Sequence, residues 1–190
     1  MSSVSTSTPE AQQLLDFWIN AGSKKWFTKD EAFDGNIRDR FETLHFSASR
    51  GELLEWAQTA KGALALLLLL DQFPRNMWRG SAHAFATDPL ARSVTEAAIA
   101  SGFDRQVEPV LRPFFYLPLE HSERIEDQER SVTLCQALHD EAGDEATLKW
   151  AILHRDIIAR FGRFPHRNAP LGRQTTPEEQ AFLDEGGFAG

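Results

Sequence analysis

The segment Asp144–Asn168, "DEATLKWAILHRDIIARFGRFPHRN", decides the fold class. Between Asp144 and Phe161 it reads as one helix. Leu148, Trp150, Ile152, Leu153, Ile157, Ile158 and Phe161, set out at about 100° per residue, put apolar side chains almost all the way round. A helix apolar on every side is expected at the centre of its fold. It runs into "GRFPHRN" (Gly162–Asn168), and a near copy of that phrase, "DQFPRN" (Asp71–Asn76), follows the leucine-rich run Ala63–Leu70. A proline pushes the residue before it out of the helical region, so Pro74 and Pro165 are both expected to stop a helix. Phe73 and Phe164 would then turn back into the core. Arg75, Asn76, Arg167 and Asn168 would donate to the last carbonyls, which lack helical partners.

Outward from these two phrases, helix signals recur and strand signals do not. "TPEAQQLLDFW" places Thr8 at an N-cap and Pro9 at the first helical position. "TPEEQAFL" (Thr176–Leu183) repeats that opening, with Glu179 completing a capping box. Phe33, Ile37, Phe41 and Leu44 recur at helical spacing within 30–49. A helix over 52–60 is expected to break at Gly62 before the leucine run. Asp88 reads as the cap of a helix that ends before Gly102, and 122–140 as a further helix with Ser122 at its cap. Pro109, Pro113 and Pro118 forbid a long helix over 103–119. The expectation is an all-α protein: a Ser/Thr-rich, disordered tail over 1–7, then one domain over 8–190 with seven to eight helices packed as antiparallel pairs.

Composition narrows the function classes. The net charge of −8 argues against broad nucleic-acid or anionic-membrane binding, both of which need a basic face. A single cysteine, Cys135, excludes an internal disulfide and fits a reducing, cytoplasmic compartment. It falls on an apolar helix face and reads as a small buried hydrophobe. The longest apolar run has eight residues, Ala63–Leu70, where a membrane span takes about 20.

Charge is distributed unevenly. Between His154 and Arg173 stand five arginines (155, 160, 163, 167 and 173) against Asp156 alone, in a protein that is acidic overall. Glu120–Arg130 carries the opposite excess, five carboxylates against two arginines. Two partners could neutralise the arginines: that acidic segment, or a small anionic ligand gripped by planar guanidinium forks. The candidate ligand-binding residues are Arg75, Asn76, His121, Glu123, Arg160, Arg163, His166, Arg167 and Asn168, framing one cleft. His121, set among carboxylates in "EHSE", and His166 are the candidate acid/base groups. No HExxH or CxxC spacing exists, so no metal or other cofactor is expected. His154 lies inside the apolar helix and reads as a core histidine. Trp26 and Trp78, beside expected loops, are the tryptophans that could line a groove.

Three blocks, "LLLLDQFPRNMWRGSAHAFATDPLA" (67–91), "RPFFYLPLEHSERIEDQERSV" (112–132) and "HRDIIARFGRFPHRNAPLGRQTTPEEQAFL" (154–183), resemble domain-of-unknown-function family 924, a family of uncharacterised bacterial proteins. The similarity runs from about Leu14 to Leu183. It implies a tetratricopeptide-like α-α superhelix and brings no reaction, cofactor or catalytic residue. Stacked helix pairs often offer a concave face to a peptide, so a protein-interaction module is the alternative to ligand binding. No 34-residue repeat is visible to support it.

Overall fold

The computed structural model describes residues 8–188, and those residues form α-, 3-10 and π-helical segments with no strand. The tail expected over 1–7 lies outside the described residues. Two compact units emerge. The first comprises Met1–Arg79 with His83–Pro118, and the second Gly80–Ala82 with Leu119–Gly190.

The first unit opens with α1 (Pro9–Ala21), where the Thr8 hydroxyl accepts from Ala11 N as the "TPE" opening requires. A short α2 (Ser23–Trp26) and the long α3 (Glu31–Ser49) follow, the latter capped by the Asp30 carboxylate. Trp18 of α1 is fully buried, with the rings of Trp26, Phe33, Phe73 and Phe114 all within 6 Å centre to centre. The helix expected over 52–60 is instead a 3-10 turn at Leu54–Gln58. Gly62 does not break a helix. It sits in the first turn of α4 (Ala60–Leu67), where a Cβ would collide with the Trp56 carbonyl oxygen.

Pro74 does not stop a helix either. Phe73 keeps helical angles (φ −62°, ψ −39°), and α4 passes through a π turn at Leu68–Gln72 into α5 (Phe73–Met77). The physical reason lies in the carbonyls that a proline leaves without a donor. Residue 74 would bond Leu70 O in an α-helix and Leu69 O in the wider π turn. Both oxygens are served from outside: Thr87 Oγ1 donates to Leu70 O at 2.5 Å, and His45 Nδ1 lies 2.8 Å from Leu69 O. With those groups satisfied, the helix tolerates its proline.

The next helix, α6 (Asp88–Ala100), is flanked at its start by Thr87 and not capped by Asp88 as expected, because the Asp88 carboxylate is turned toward Arg75. The eight-residue α7 (Pro113–Glu120) then closes the stretch expected to be irregular, with Pro118 inside it.

The second unit is built on a hairpin of α8 (Ile125–Ala142) and α9 (Glu145–Phe161), joined by the left-handed Gly143 and the capping Asp144. Two connecting residues make the pair antiparallel. The sequence expectation of a central α9 is corrected here. Only Ala151, His154, Ile157 and Ile158 are buried, while Trp150 is 52% and Leu153 39% exposed. The helix packs along α8 and leaves an outer strip open, so apolar composition on every side did not mean burial on every side. Gly162 (φ 69°), not Pro165, ends α9, its N–H reaching Ile158 O. Phe164 is extended (φ −87°, ψ 112°), as the following proline demands. It packs with Ile157 and Ile158 against Phe161, Phe182 and Phe188. Last comes α10 (Pro177–Asp184), opened by the Thr176–Glu179 capping box.

Candidate functional site

The two Phe-Pro phrases fall in different units, and partners in each unit close them. In the first unit Arg75 forms a bidentate pair with Asp88 (both N···O 2.9 Å) and also reaches Asp71 Oδ1 at 3.3 Å and Asp71 O at 2.8 Å. Burial alone would lower its pKa, but the two carboxylates outweigh burial and raise it. Asn76 donates to Asp34 Oδ1 at 2.7 Å and accepts from Gln72, while Arg79 grips the same Asp34 with two donors. Each side chain of "DQFPRN" thus serves the joint between the π turn and α5.

In the second unit the arginine surplus is neutralised from within. Arg163 makes a bidentate pair with Glu179 (2.5 and 2.8 Å), and the same carboxylate accepts from Asn168 Nδ2 (3.1 Å) and Thr176 N (2.8 Å). The Arg163 hydrogen bond is the chief cause that holds Glu179 down at a pKa of about 2. Arg173 makes a second bidentate pair, with Glu123, whose Oε1 also accepts from Phe164 N. Burial would raise the Glu123 pKa, and Arg173 with the Phe164 N–H outweighs it and lowers it. Arg160 pairs with the exposed Glu178, and Arg155 with Asp156 and Glu129. Arg167 is buried with its guanidinium 4.5 Å from the centre of the Phe164 ring. Asn168 is buried and accepts from Arg173 Nε, so Glu123, Asn168, Arg163, Arg173 and Glu179 form one network.

The acidic segment 120–130 contributes Glu123 and Glu129 to that neutralisation, as the charge count suggested. Glu178 and Glu179 were missed as ionic partners. Their signal was present but read only as a capping box, which fixes where Glu179 sits without saying which other donors reach it. The helix expected to start at Ser122 starts at Ile125 instead. Ser122 Oγ still supports that start, accepting from Arg124 N and donating to Asp127 Oδ2. Glu123 thereby stays outside the helix, free to point at Arg173.

The histidines separate by environment. His121 is partly exposed, its ring 6.2 Å from that of His154. His166 is also partly exposed and lies against Phe164 and Phe188. His154 is a core residue as expected, but not an apolar one. Its Nδ1 lies 2.8 Å from Trp150 O and 3.2 Å from the buried Glu120 carboxylate. Burial, and then Glu120, push the nearby Cys135 thiol up to about 12, which leaves it unreactive. Among the described residues no group of three or more His, Cys, Asp or Glu side chains could hold a metal ion.

A different arrangement in the first unit went unread in the sequence. Between α1 and α3 an open recess of about 420 Å³ is lined by Gln13, Asp16, Phe17, Asn20, Lys25 and Arg40 among others. Phe17 and Phe33 are stacked in it at 5.6 Å, with Arg40 4.6 Å from the Phe17 ring centre and Lys25 5.6 Å from that of Phe33. Asp16 accepts from Gln12. Spacing alone could not find this recess, because its cations stand on two different helices and beside no sequence motif.

No helix among the described residues is long and apolar enough to cross a membrane. No curated protein matches the chain. A solved structure, that of a protein of unknown function from Agrobacterium tumefaciens, is 52% identical, with a TM-score of 0.88 over 92% of this chain and 97% of that one. Residues 14–187 match the model of the bacterial proteins of unknown function DUF924, and the chain belongs to that family.

Proposed function

We propose that this protein binds a small anionic ligand, and that the ligand sits in the recess between α1 and α3. One observation carries the reading. Lys25 and Arg40 border the recess in contact with aromatic faces and form no ion pair among the described residues, whereas Arg155, Arg160, Arg163 and Arg173 each have a carboxylate. An arginine already paired bidentately must lose one partner to gain another, and a cation stacked on a ring keeps its donors available. The flat Phe17 surface and the amides of Gln13, Asn20 and Asn36 suit a carboxylate or phosphate carried on a compact apolar body. The residues around His166 and Arg163 then serve as scaffold, and His121 stays the acid/base candidate nearest a charged neighbour.

Titrating the 15N-labelled protein with benzoate and with inorganic phosphate tests this. Shifts should concentrate on residues 13–21, 25 and 36–40, and vanish in Lys25→Gln/Arg40→Gln. Shifts at 160–173 that survive the double variant, or none for either anion, would overturn the assignment. A protein-interaction role has its own support in the second unit, where Trp150 and Leu153 stand exposed one turn apart on α9.

A further inference from the structure

The π turn has a second consequence, for His45. This side chain of α3 is fully buried, with its Nδ1 2.8 Å from Leu69 O. A carbonyl can only accept, so Nδ1 carries the hydrogen and Nε2 presents a lone pair. No donor meets that Nε2, although it is buried. Buried polar atoms without partners are rare, and an unseen ion is one of the few explanations for them. Around the ring stand Trp78 at 4.9 Å, Phe46 at 5.5 Å and His83 at 5.7 Å, with Trp78 and His83 stacked on each other at 4.0 Å.

We propose that His45 and His83 form a two-imidazole site for a cuprous ion. Metal-bound histidines characteristically donate their other ring N–H to a backbone carbonyl, which fixes the tautomer and turns the lone pair toward the metal. His45 has that arrangement before any metal arrives. An imidazole nitrogen binds a late transition metal at about 2.0–2.1 Å, which puts ring centres on one ion roughly 5–6 Å apart. The observed 5.7 Å fits that span. Because no third His, Cys, Asp or Glu completes a cluster among the described residues, the ion must accept two protein ligands. Monovalent copper does so more readily than zinc, which favours four. Burial, opposed by the Leu69 bond, lowers the His45 pKa, so the ring stays neutral and able to ligate. Glu42, one turn earlier on α3, acts on the ring in the sense that favours positive charge, and the Trp78 face does likewise.

The site was invisible to motif reading because its two histidines stand on separate elements, with the π turn supplying the carbonyl that aligns one of them.

Anaerobic titration with Cu(I) against a competing chromogenic chelator provides the test, in a Cys135→Ser background so that no thiol contributes. One equivalent should bind and quench Trp78 fluorescence, with Trp78→Phe abolishing the quench. His45→Gln keeps a donor for Leu69 O and should weaken binding by at least ~100-fold. His83→Gln, at a half-buried position, should do the same without disturbing the helical circular dichroism. The proposal fails if Cu(I) does not bind, if binding survives either histidine change, or if Zn(II) binds at least as tightly.

Discussion

If the Thr87 hydroxyl replaces the backbone donor that Pro74 lacks, Thr87→Val should leave Leu70 O buried and unserved. The side chains are nearly equal in volume, so packing changes little, and the cost is that of an unsatisfied buried acceptor, about 1–3 kcal/mol. The short 2.5 Å contact at a fully buried leucine argues for the upper half of that range. In a Pro74→Ala background the outcome should differ, since an alanine at position 74 regains an N–H that can turn to Leu70 O. There the same Thr87→Val change should cost less than ~1 kcal/mol, a coupling of about 1–2 kcal/mol between positions thirteen residues apart. Urea unfolding of the four proteins, followed by far-ultraviolet circular dichroism and tryptophan fluorescence, measures the cycle. Equal costs in both backgrounds would show that Thr87 and Pro74 act independently, and the explanation of the unbroken helix would be refuted.

Two further outcomes follow from the second unit. Glu179 is held at about 2, below the ordinary carboxylate value of 4.5, so its stabilisation is present above pH ~4.5 and is lost as pH falls through about 2. Glu179→Gln should therefore flatten the acid limb of a stability-versus-pH curve in that window; an unchanged limb would show that the network contributes nothing. Phe164→Ala should cost about 3–5 kcal/mol and Trp150→Ala ~1 kcal/mol or less, because the first ring is fully buried and the second half exposed. Equal losses in thermal or urea unfolding would contradict the one-sided packing of α9.

What the sequence revealed was whatever is written in local chemistry. Thr8, Asp144 and Thr176 announce helix starts because a cap needs only a side-chain oxygen and the next turn. Gly143 and Gly162 mark helix ends because the left-handed conformation there suits glycine. The burial of Phe73 and Phe164 was legible for the same kind of reason, as each stands between an apolar helix and a proline. Errors arose where the outcome depended on residues far away. Pro74 looked like a stop because Thr87 and His45, which make it tolerable, are thirteen and twenty-nine positions away. The arginine surplus was legible as a charge count, and so was the chance that it is met internally. Glu179 as its main partner was not, because a capping box and a salt bridge use the same carboxylate without leaving separate marks. The recess at Phe17 and Phe33 depends on how α1 meets α3, which no single stretch encodes.

The π turn also constrains how the gene can change. A π turn is equivalent to an α-helix carrying one extra residue, here within the run of five leucines Leu66–Leu70. Deleting one leucine would seem harmless, since its neighbours are identical and the helix would become regular. Yet each residue of an α-helix advances about 100°, so everything after the deletion would rotate relative to everything before it. Phe73 would swing away from Trp18, Arg75 from Asp88, and Asn76 from Asp34. The repetitive-looking run is therefore a spacer of fixed length. Leucine can be exchanged within it for another apolar residue far more safely than the run can be shortened by one codon.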